Sequence, residues 1–487
     1  MKKMFRIIAT ILSVMMIISL AACGKDGGNH DNETTSISES TEEIKNTEKI
    51  KEEYTGVFQA GYGRVDITPT VPVYLNDGTL LHKVRDPLYV TAIAVHDGEQ
   101  TVLIITADIK NLGESDYLKV AKLIMKATNV PEENIMISAT HNHSAPTPGQ
   151  STVNKSNARW QAALNNNIVD ACKAAVEDLS DAEIYVGSFK TTGMAFVRRY
   201  FNSKGEFRDI MTIKNEDVIV AHESEADDTA QLIRFVRKEK KDILLANWQC
   251  HVASMISVYQ DSVSSDFVGY YRDIVEKGDD DLLTAYYQGA SGNINATARV
   301  KGSTKYMSYL KKCEAFGELA LEASSLDKMT RIQAGKITAE REKYTVKVMK
   351  DSEERIANAK ETKAAGYPSD LVKKYGFSHW REVDAVLGRV GWGDTHDIYI
   401  SAISFGELGF VSVPYEMYDT NGMQVKEGSP AKMTFILTCA GGSYAYVAST
   451  EASKNGGYDA YKTFFEYGTG DEVAGVLVDM LKRQFNK

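Results

Sequence analysis

Three of the nine histidines in this 487-residue chain end apolar runs, and strand ends opening into loops are where catalytic groups tend to sit. In Ser138-Ala139-Thr140-His141-Asn142-His143-Ser144-Ala145-Pro146 an apolar strand, IMISA, runs straight into two histidines at i and i+2. A Pro and Gly loop ending near Gly149 follows. On an extended backbone these two imidazoles point to one side and could enter one cavity. His251 follows a second apolar run, and Glu416 follows a third in Val411-Ser412-Val413-Pro414-Tyr415-Glu416. A carboxylate buried there is costly unless it meets a cation, a metal or water. Two imidazoles, a carboxylate and one open position form the donor set of a hydrolytic zinc site. Each signal alone also fits a structural role: an H-x-H pair on the surface, or a hydrogen-bonded core histidine at 251.

Two further segments belong with this set. Gly289-Ala290-Ser291-Gly292-Asn293-Ile294-Asn295 is a small-residue turn after a strand, where backbones can approach closely. Tyr444, Tyr446 and Tyr458 lie in a polar, glycine-rich stretch, AGGSYAYVASTEASKNGGYDAY, that is poor core material. Tyrosines there line a pocket or rim, or stiffen a loop.

The elements that must position these residues are legible from periodicity. Strands are expected at 58–68, 90–97, 101–107, 134–140, 184–189, 230–237, 242–250, 283–288, 398–405, 409–413 and 433–439. Helices are expected at 115–128, 160–179, 266–277, 307–324 and 471–484, with Asp266 and Asp471 as N-caps. Asp97-Gly98 marks a hairpin. Residues 339–392, rich in Lys, Glu, Asp and Arg, read as a charged helical insertion, either a lid or a solvated flank. No internal repeat is visible. The fold class is mixed α/β (α+β), with central mixed β-sheets flanked by helices in one large domain.

The N-terminus reads as an address. Lys2, Lys3 and Arg6 precede the apolar run 7–20, and Leu20-Ala21-Ala22-Cys23 resembles a bacterial lipobox, so residues 1–22 form a lipoprotein signal peptide and Cys23 carries the lipid. The run is too short to span a bilayer, which needs about 20 residues. Residues 23–56 form an acidic, disordered tether, and the folded body occupies 57–487. The expected location is the extracytoplasmic face of a bacterial membrane, reached through the lipid anchor. The net charge of −10 and the absence of a long basic run exclude nucleic acid as the main partner. Cys172, Cys250, Cys313 and Cys439 lack paired C-x-x-C spacing and read as buried free thiols.

These segments, in this order, resemble those of the neutral/alkaline non-lysosomal ceramidases. The resemblance opens at Gly61-Tyr62-Gly63-Arg64-Val65-Asp66-Ile67-Thr68-Pro69 and continues through 138–149, 247–255, 262–270, 288–296, 411–422 and 440–461 to about Arg483. It implies a zinc-dependent amidohydrolase that cleaves the N-acyl amide bond of ceramide or a related N-acyl lipid by attack of zinc-bound water. His141, His251 and Glu416 match the family's zinc ligands, and Tyr446 its fourth protein ligand. Tyr458 matches the tyrosine beside the substrate carbonyl. His143 matches the second His of the H-x-H, placed to steady an oxyanion or pass a proton. Arg198 matches a pocket arginine, with Arg199 the other candidate. Zinc lowers the pKa of bound water to about 7, and His143, Tyr458 and the metal would stabilise the oxyanion.

Two departures qualify the resemblance. The family's Gly-Asp-Val-Ser-Pro reads Gly292-Asn293-Ile294-Asn295-Ala296 here. Asn295 stands where the ceramidases carry a serine regarded as catalytic, and an amide can donate a hydrogen bond but cannot accept an acyl group as a nucleophile. A zinc–water route survives that change; a serine acyl-enzyme route does not. The chain also stops soon after the helix expected at 471–484, without the family's C-terminal immunoglobulin-like domain. Both departures loosen the assignment to ceramide and leave metal binding untouched. The alternatives are a zinc amidase acting on a different N-acyl substrate, or a surface lipoprotein that binds a lipid or glycan without cleaving it.

Overall fold

Every strand and helix expected from periodicity forms, in an order that repeats three times. The computed structural model describes residues 54–75, 78–148, 155–297, 299–300 and 308–486. The signal peptide, Cys23, most of the tether and Gly149 lie outside the described residues. The first pass comprises β1 (Gln59–Asp66), β2 (Tyr89–His96), β3 (Thr101–Ala107), α1 (Glu114–Thr128), β4 (Ile135–Ala139) and α2 (Lys155–Glu177). The second comprises β5 (Ser180–Lys190), β6 (Thr229–Arg237), β7 (Asp242–Trp248), α3 (Asp266–Gly278), β8 (Leu282–Gln288) and α4 (Tyr309–Ala323). The third begins with β9 (Ile337–Lys347) and makes an excursion through α5 (Glu353–Ala364) and α6 (Trp380–Gly388). It then continues with β10 (Thr395–Phe405), β11 (Leu408–Ser412), α7 (Asp419–Gly428), β12 (Met433–Leu437) and α8 (Thr469–Phe485).

In each pass three strands pair antiparallel and the fourth lies parallel to the third. A parallel neighbour needs a crossover, and α1, α3 and α7 supply it. The repeat escaped the sequence because what recurs is a ladder pattern. The third strands TVLIITA, DILLANW and LGFVS share little beyond apolar character. The first two passes join edge to edge in a sheet of order β8-β7-β6-β5-β1-β2-β3-β4, with Thr330–Ile332 also pairing with β5. The third forms its own sheet, β9-β10-β11-β12.

Alternation along the strands sorts the apolar side chains into two kinds of layer. In β3, Leu103 and Ile105 pack under α1 and α2. Val102 and Ile104 face the other way, into a core shared with Ile243 and Leu245 of β7 and Phe410 of β11. Helices α3 and α4 cover the outer face of the second pass, and α7 and α8 that of the third. Strands buried on both faces read as continuous apolar runs, which is why their positions were clear. Gly98 sits at φ 90° in the expected hairpin, while the Asp97 carboxylate accepts the N–H groups of Glu99 and Gln100 at 2.9 and 2.8 Å. All four body cysteines are buried free thiols. Among the described residues no helix is long and apolar enough to cross a membrane.

Four expectations need correction. Residues 339–347 are strand, not helix: β9 pairs along its full length with β10 and carries its charges on a partly exposed edge. Charged residues commonly protect such edges, so composition alone imitated a surface helix. Asp266 and Asp471 are not N-caps; Ser265 and Gly468 hold those positions. Asp266 instead accepts the N–H groups of Met255 and Phe267 at 2.6 and 2.7 Å, and Asp471 accepts from Thr450 at 2.8 Å. The body also begins before residue 57, because the Tyr54 hydroxyl donates to Asp97 O at 3.0 Å and its ring packs on the shared core.

Candidate metal centre and active site

The three passes converge at the C-terminal ends of their third and fourth strands. Crossover topology leaves loops and unpaired backbone groups there, which makes such ends binding crevices. Lys110 follows β3, and His141 and His143 follow β4. His251 follows β7 and Ser291 follows β8, while Glu416 follows β11 and Tyr446 lies beyond β12. Cross-links between passes hold these ends together. Ser138 bridges to Ala440, Thr438 N–H donates to Gln288 O at 3.0 Å, and the Thr438 hydroxyl donates to Gly289 O at 2.9 Å. The small-residue turn performs the close approach expected of it. A Cβ on Gly292 would lie 2.6 Å from Glu416 O, and its N–H donates to Met417 O at 2.7 Å.

The backbone at the H-x-H is a turn, not the extended strand on which the pairing was argued. His141 adopts φ 61°, in the left-handed region. The turn still brings the rings together, with His143 Nε2 3.3 Å from His141 Nε2. Glu416 Oε2 lies 3.2 Å from His141 Nε2 and 3.5 Å from His251 Nε2. Backbone carbonyls fix the other ring nitrogens: His141 Nδ1 donates to Lys110 O at 2.9 Å, and His251 Nδ1 donates to Ser291 O at 3.0 Å. Cys439 Sγ also lies 3.4 Å from His141 Nδ1. His251 Nε2 and Glu416 Oε2 are buried without a hydrogen-bond partner.

Electrostatics sharpen this picture. Burial, with Arg198 and His141 adding to it, pushes the His251 pKa well below its usual value. Burial and the Lys110 ammonium do the same at His143. Burial also opposes the charged form of His141, but Glu416 and Cys439 outweigh it and hold its pKa up to about 10. Glu416 is correspondingly held well below the carboxylate range, against its burial, by His141 and His251. The ring nitrogens of His141, His143 and His251 and the Glu416 carboxylate thus converge on one point. Such a donor set fits a cation, and among the described residues His141, His143 and His251 form a group whose ring nitrogens all lie within 4.8 Å of one another. Carbonyls bonded to the far ring nitrogens are the usual outer support of metal-binding histidines.

The remaining expected residues fall into two groups. Tyr446 pairs with Glu416 in a two-residue parallel ladder, and its ring meets that of Tyr458 at 5.6 Å. Arg198 lies over both rings, 5.2 and 5.9 Å from their centres. It is held by Asp459 at 2.9 and 3.2 Å and by Gly292 O at 2.6 Å. Arg199 turns away and pairs with Glu223, so Arg198 is the arginine at the site. Asn295 is not brought into the cluster by any hydrogen bond; it sits on a two-residue ladder opposite Phe196. The neighbouring amide, Asn293, is spent on Asp419, donating at 2.5 Å and accepting the Asp419 N–H at 2.9 Å.

Three residues at the site were missed. Arg381, from α6 in the charged excursion, donates Nη1 to the Tyr458 hydroxyl at 3.0 Å, so part of that segment reaches the site. Lys462 Nζ lies 5.4 and 5.7 Å from the Tyr446 and Tyr458 ring centres. Lys110 occupies, after β3, the place that His251 occupies after β7. Only the repeat would have flagged it.

A family model described as neutral/alkaline non-lysosomal ceramidase, N-terminal, matches residues 58–315, the first two passes. Among solved structures, neutral ceramidase from Pseudomonas aeruginosa aligns with a TM-score of 0.65 at 15% identity, over 88% of this chain and 74% of that one. A ceramidase complexed with C2 aligns with a TM-score of 0.62 at 14% identity, over 88% and 75%. At that identity the two likenesses establish the fold, including the third pass. No curated protein matches the chain.

Proposed function

Because this chain belongs to the neutral/alkaline non-lysosomal ceramidase family, enzymes that hydrolyse a linear amide bond, we propose that it cleaves an N-acyl amide with the help of zinc. The observation that carries the zinc assignment is the buried, partnerless pair of His251 Nε2 and Glu416 Oε2, facing His141 Nε2. His141, His251 and Glu416 would hold the ion, with Tyr446 beside them as a fourth ligand. Zinc supplies a Lewis acid that polarises a carbonyl and acidifies water.

The chain's own residues do the rest. Tyr458, oriented by Arg381, presents its hydroxyl for the charge that develops on the carbonyl oxygen. His143 is held neutral beside His141 and can accept a proton, then return it to the departing amine. Arg198 fixes the two tyrosine rings through its own pairing with Asp459. Asn295 offers no nucleophile, so no acyl-enzyme forms at that position.

The test is metal analysis of the purified protein together with hydrolysis of an N-acylsphingosine panel. One equivalent of zinc and release of fatty acid are expected, with both lost in the double variant His251→Ala, Glu416→Ala. Full activity in that variant would overturn the assignment. Cys23 tethers the enzyme to the outer face of the membrane, and a body running from about residue 54 does the chemistry. Incorporation of a labelled fatty acid into the wild type, absent from Cys23→Ala, is the corresponding measurement.

A further inference from the structure

Three cations stand around this site: Arg381, which orients Tyr458, and Lys462 and Lys110, whose ammonium groups amide hydrolysis does not use. Lys462 Nζ approaches the rings of Tyr446 and Tyr458, as given above. Arg381 lies 5.3 Å from the Tyr458 ring centre, and its Nε is buried without a partner. Lys110 stands at the same site, its carbonyl accepting from His141 Nδ1 at 2.9 Å.

Among the described residues none of the three forms an ion pair. Their neighbours do: Arg198 with Asp459, and Arg199 with Glu223. The carboxylates in reach are otherwise engaged. Glu416 faces His141 and His251, and Asp459 holds Arg198. Asp209 accepts the N–H groups of Tyr458, Met211 and Thr212 at 2.6, 2.7 and 3.0 Å. Bringing three cations to one partly buried rim is unfavourable by mutual repulsion and desolvation. A zinc ion would add to the same positive field. A cleft lined by one sign of charge concentrates ligands of the opposite sign.

From this juxtaposition we infer that the substrate carries an anionic group, a carboxylate, sulfonate or phosphate, a few atoms from the amide that is cleaved, and that Arg381, Lys462 and Lys110 bind it. The inference rests on the amidase reading above and narrows its substrate class. A neutral N-acyl lipid would offer the three cations no charge of its own. Two of the three lie on loops after β3 and β12, and Arg381 lies on α6, so the charged excursion contributes to specificity.

The experiment compares zinc-loaded full-length protein on four substrates sharing one acyl chain. N-dodecanoylglycine, N-dodecanoyltaurine and N-dodecanoyl-phosphoethanolamine carry the three kinds of anion, and N-dodecanoylethanolamine is the neutral reference. The expected kcat/KM favours at least one anionic substrate by about 10-fold or more, one charge-assisted contact's worth of discrimination. Which arm wins distinguishes an amino-acid carboxylate from a head-group sulfonate or phosphate. In the variant Lys462→Gln the anionic-to-neutral ratio should fall toward one, mainly through KM. Equal kcat/KM for all four substrates in the wild type would overturn the inference, whatever the variant does.

Trp380 fluorescence gives a second readout on chelator-treated protein, titrated with N-dodecanoylglycine and with N-dodecanoylethanolamine. Tighter binding of the glycine conjugate, weakened by salt, is expected; equal affinities count against the inference. Anion-selective binding with no hydrolysis of any substrate in zinc would refute the amidase reading while keeping the anion site. Hydrolysis without anion preference would do the reverse.

Discussion

His141 places its Nε2 by way of a left-handed backbone that a non-glycine residue enters at some cost, and Cys439 and Ala445 adopt the same backbone nearby, at φ 52° and 57°. Strain of this kind persists where surrounding contacts over-determine it, which is common at functional sites. Here the carbonyl of Lys110 and the pairing of Ser138 with Ala440 supply that constraint. Tyr458 is the residue whose role can be isolated most cleanly. Its ring is packed among Tyr446, Arg198 and Arg381, so Tyr458→Phe removes one hydroxyl and little packing. Loss of one oxyanion donor costs about 100- to 1,000-fold in kcat. Steady-state kinetics should record that loss while metal analysis still finds bound zinc; an unchanged kcat would remove Tyr458 from the mechanism.

At the scale of elements, the turn after β8 and the start of α7 set where Glu416 stands. A methyl group at Gly292 would press on the backbone oxygens of Glu416 and Met417, 2.6 and 2.9 Å away, and neither can swing aside as a side chain would. Gly292→Ala should cost about 1–3 kcal/mol, as overpacking does, lowering Tm in calorimetry and metal content together. Asp419, first residue of α7, makes a pH-dependent contribution. Burial pushes its carboxyl up to about 6 from 3.8, and Oδ2 has no partner. The folded chain therefore holds this proton more tightly than the unfolded chain. Stability from this group is present at low pH and is lost as pH rises through the interval from about 4 to about 6. Asp419→Asn should abolish that loss, so its Tm should exceed the wild type's at pH 8 and match it near pH 4. A constant difference across that range would contradict the assignment.

For the molecule as a whole, the shared core couples the three passes and hence the ligands they carry. Phe410 of β11 stacks on Phe405 and meets Phe435 edge-on, within the layer that also takes in Ile104 and Leu245. Phe410→Ala should destabilise by about 3–5 kcal/mol. Because His141, His251 and Glu416 come from different passes, zinc affinity should fall in the same variant although no ligand is touched. Isothermal titration with zinc alongside thermal unfolding would separate the two effects. Normal zinc affinity in a destabilised protein would show that the passes are not coupled through this core.

Local chemistry made much of this legible in the sequence. Strands buried on both faces must be continuous apolar runs, helices covering them must be amphipathic, and a histidine or glutamate just beyond such a run has few bland explanations. His141, His251 and Glu416, the proposed metal ligands, stand out on those grounds. Other features were decided only by the tertiary structure, because they depend on contacts between residues far apart in the chain. The threefold repeat is a pattern of backbone pairing, which many apolar sequences satisfy equally well. The left-handed turn at His141 is imposed by Lys110 O and by the strand ends of another pass. Charged residues on edge strand β9 looked like a helical surface until pairing with β10 assigned them. Arg381, Lys462 and Lys110 are ordinary surface-type cations in sequence, and folding gathers them around one site, where among the described residues none forms an ion pair.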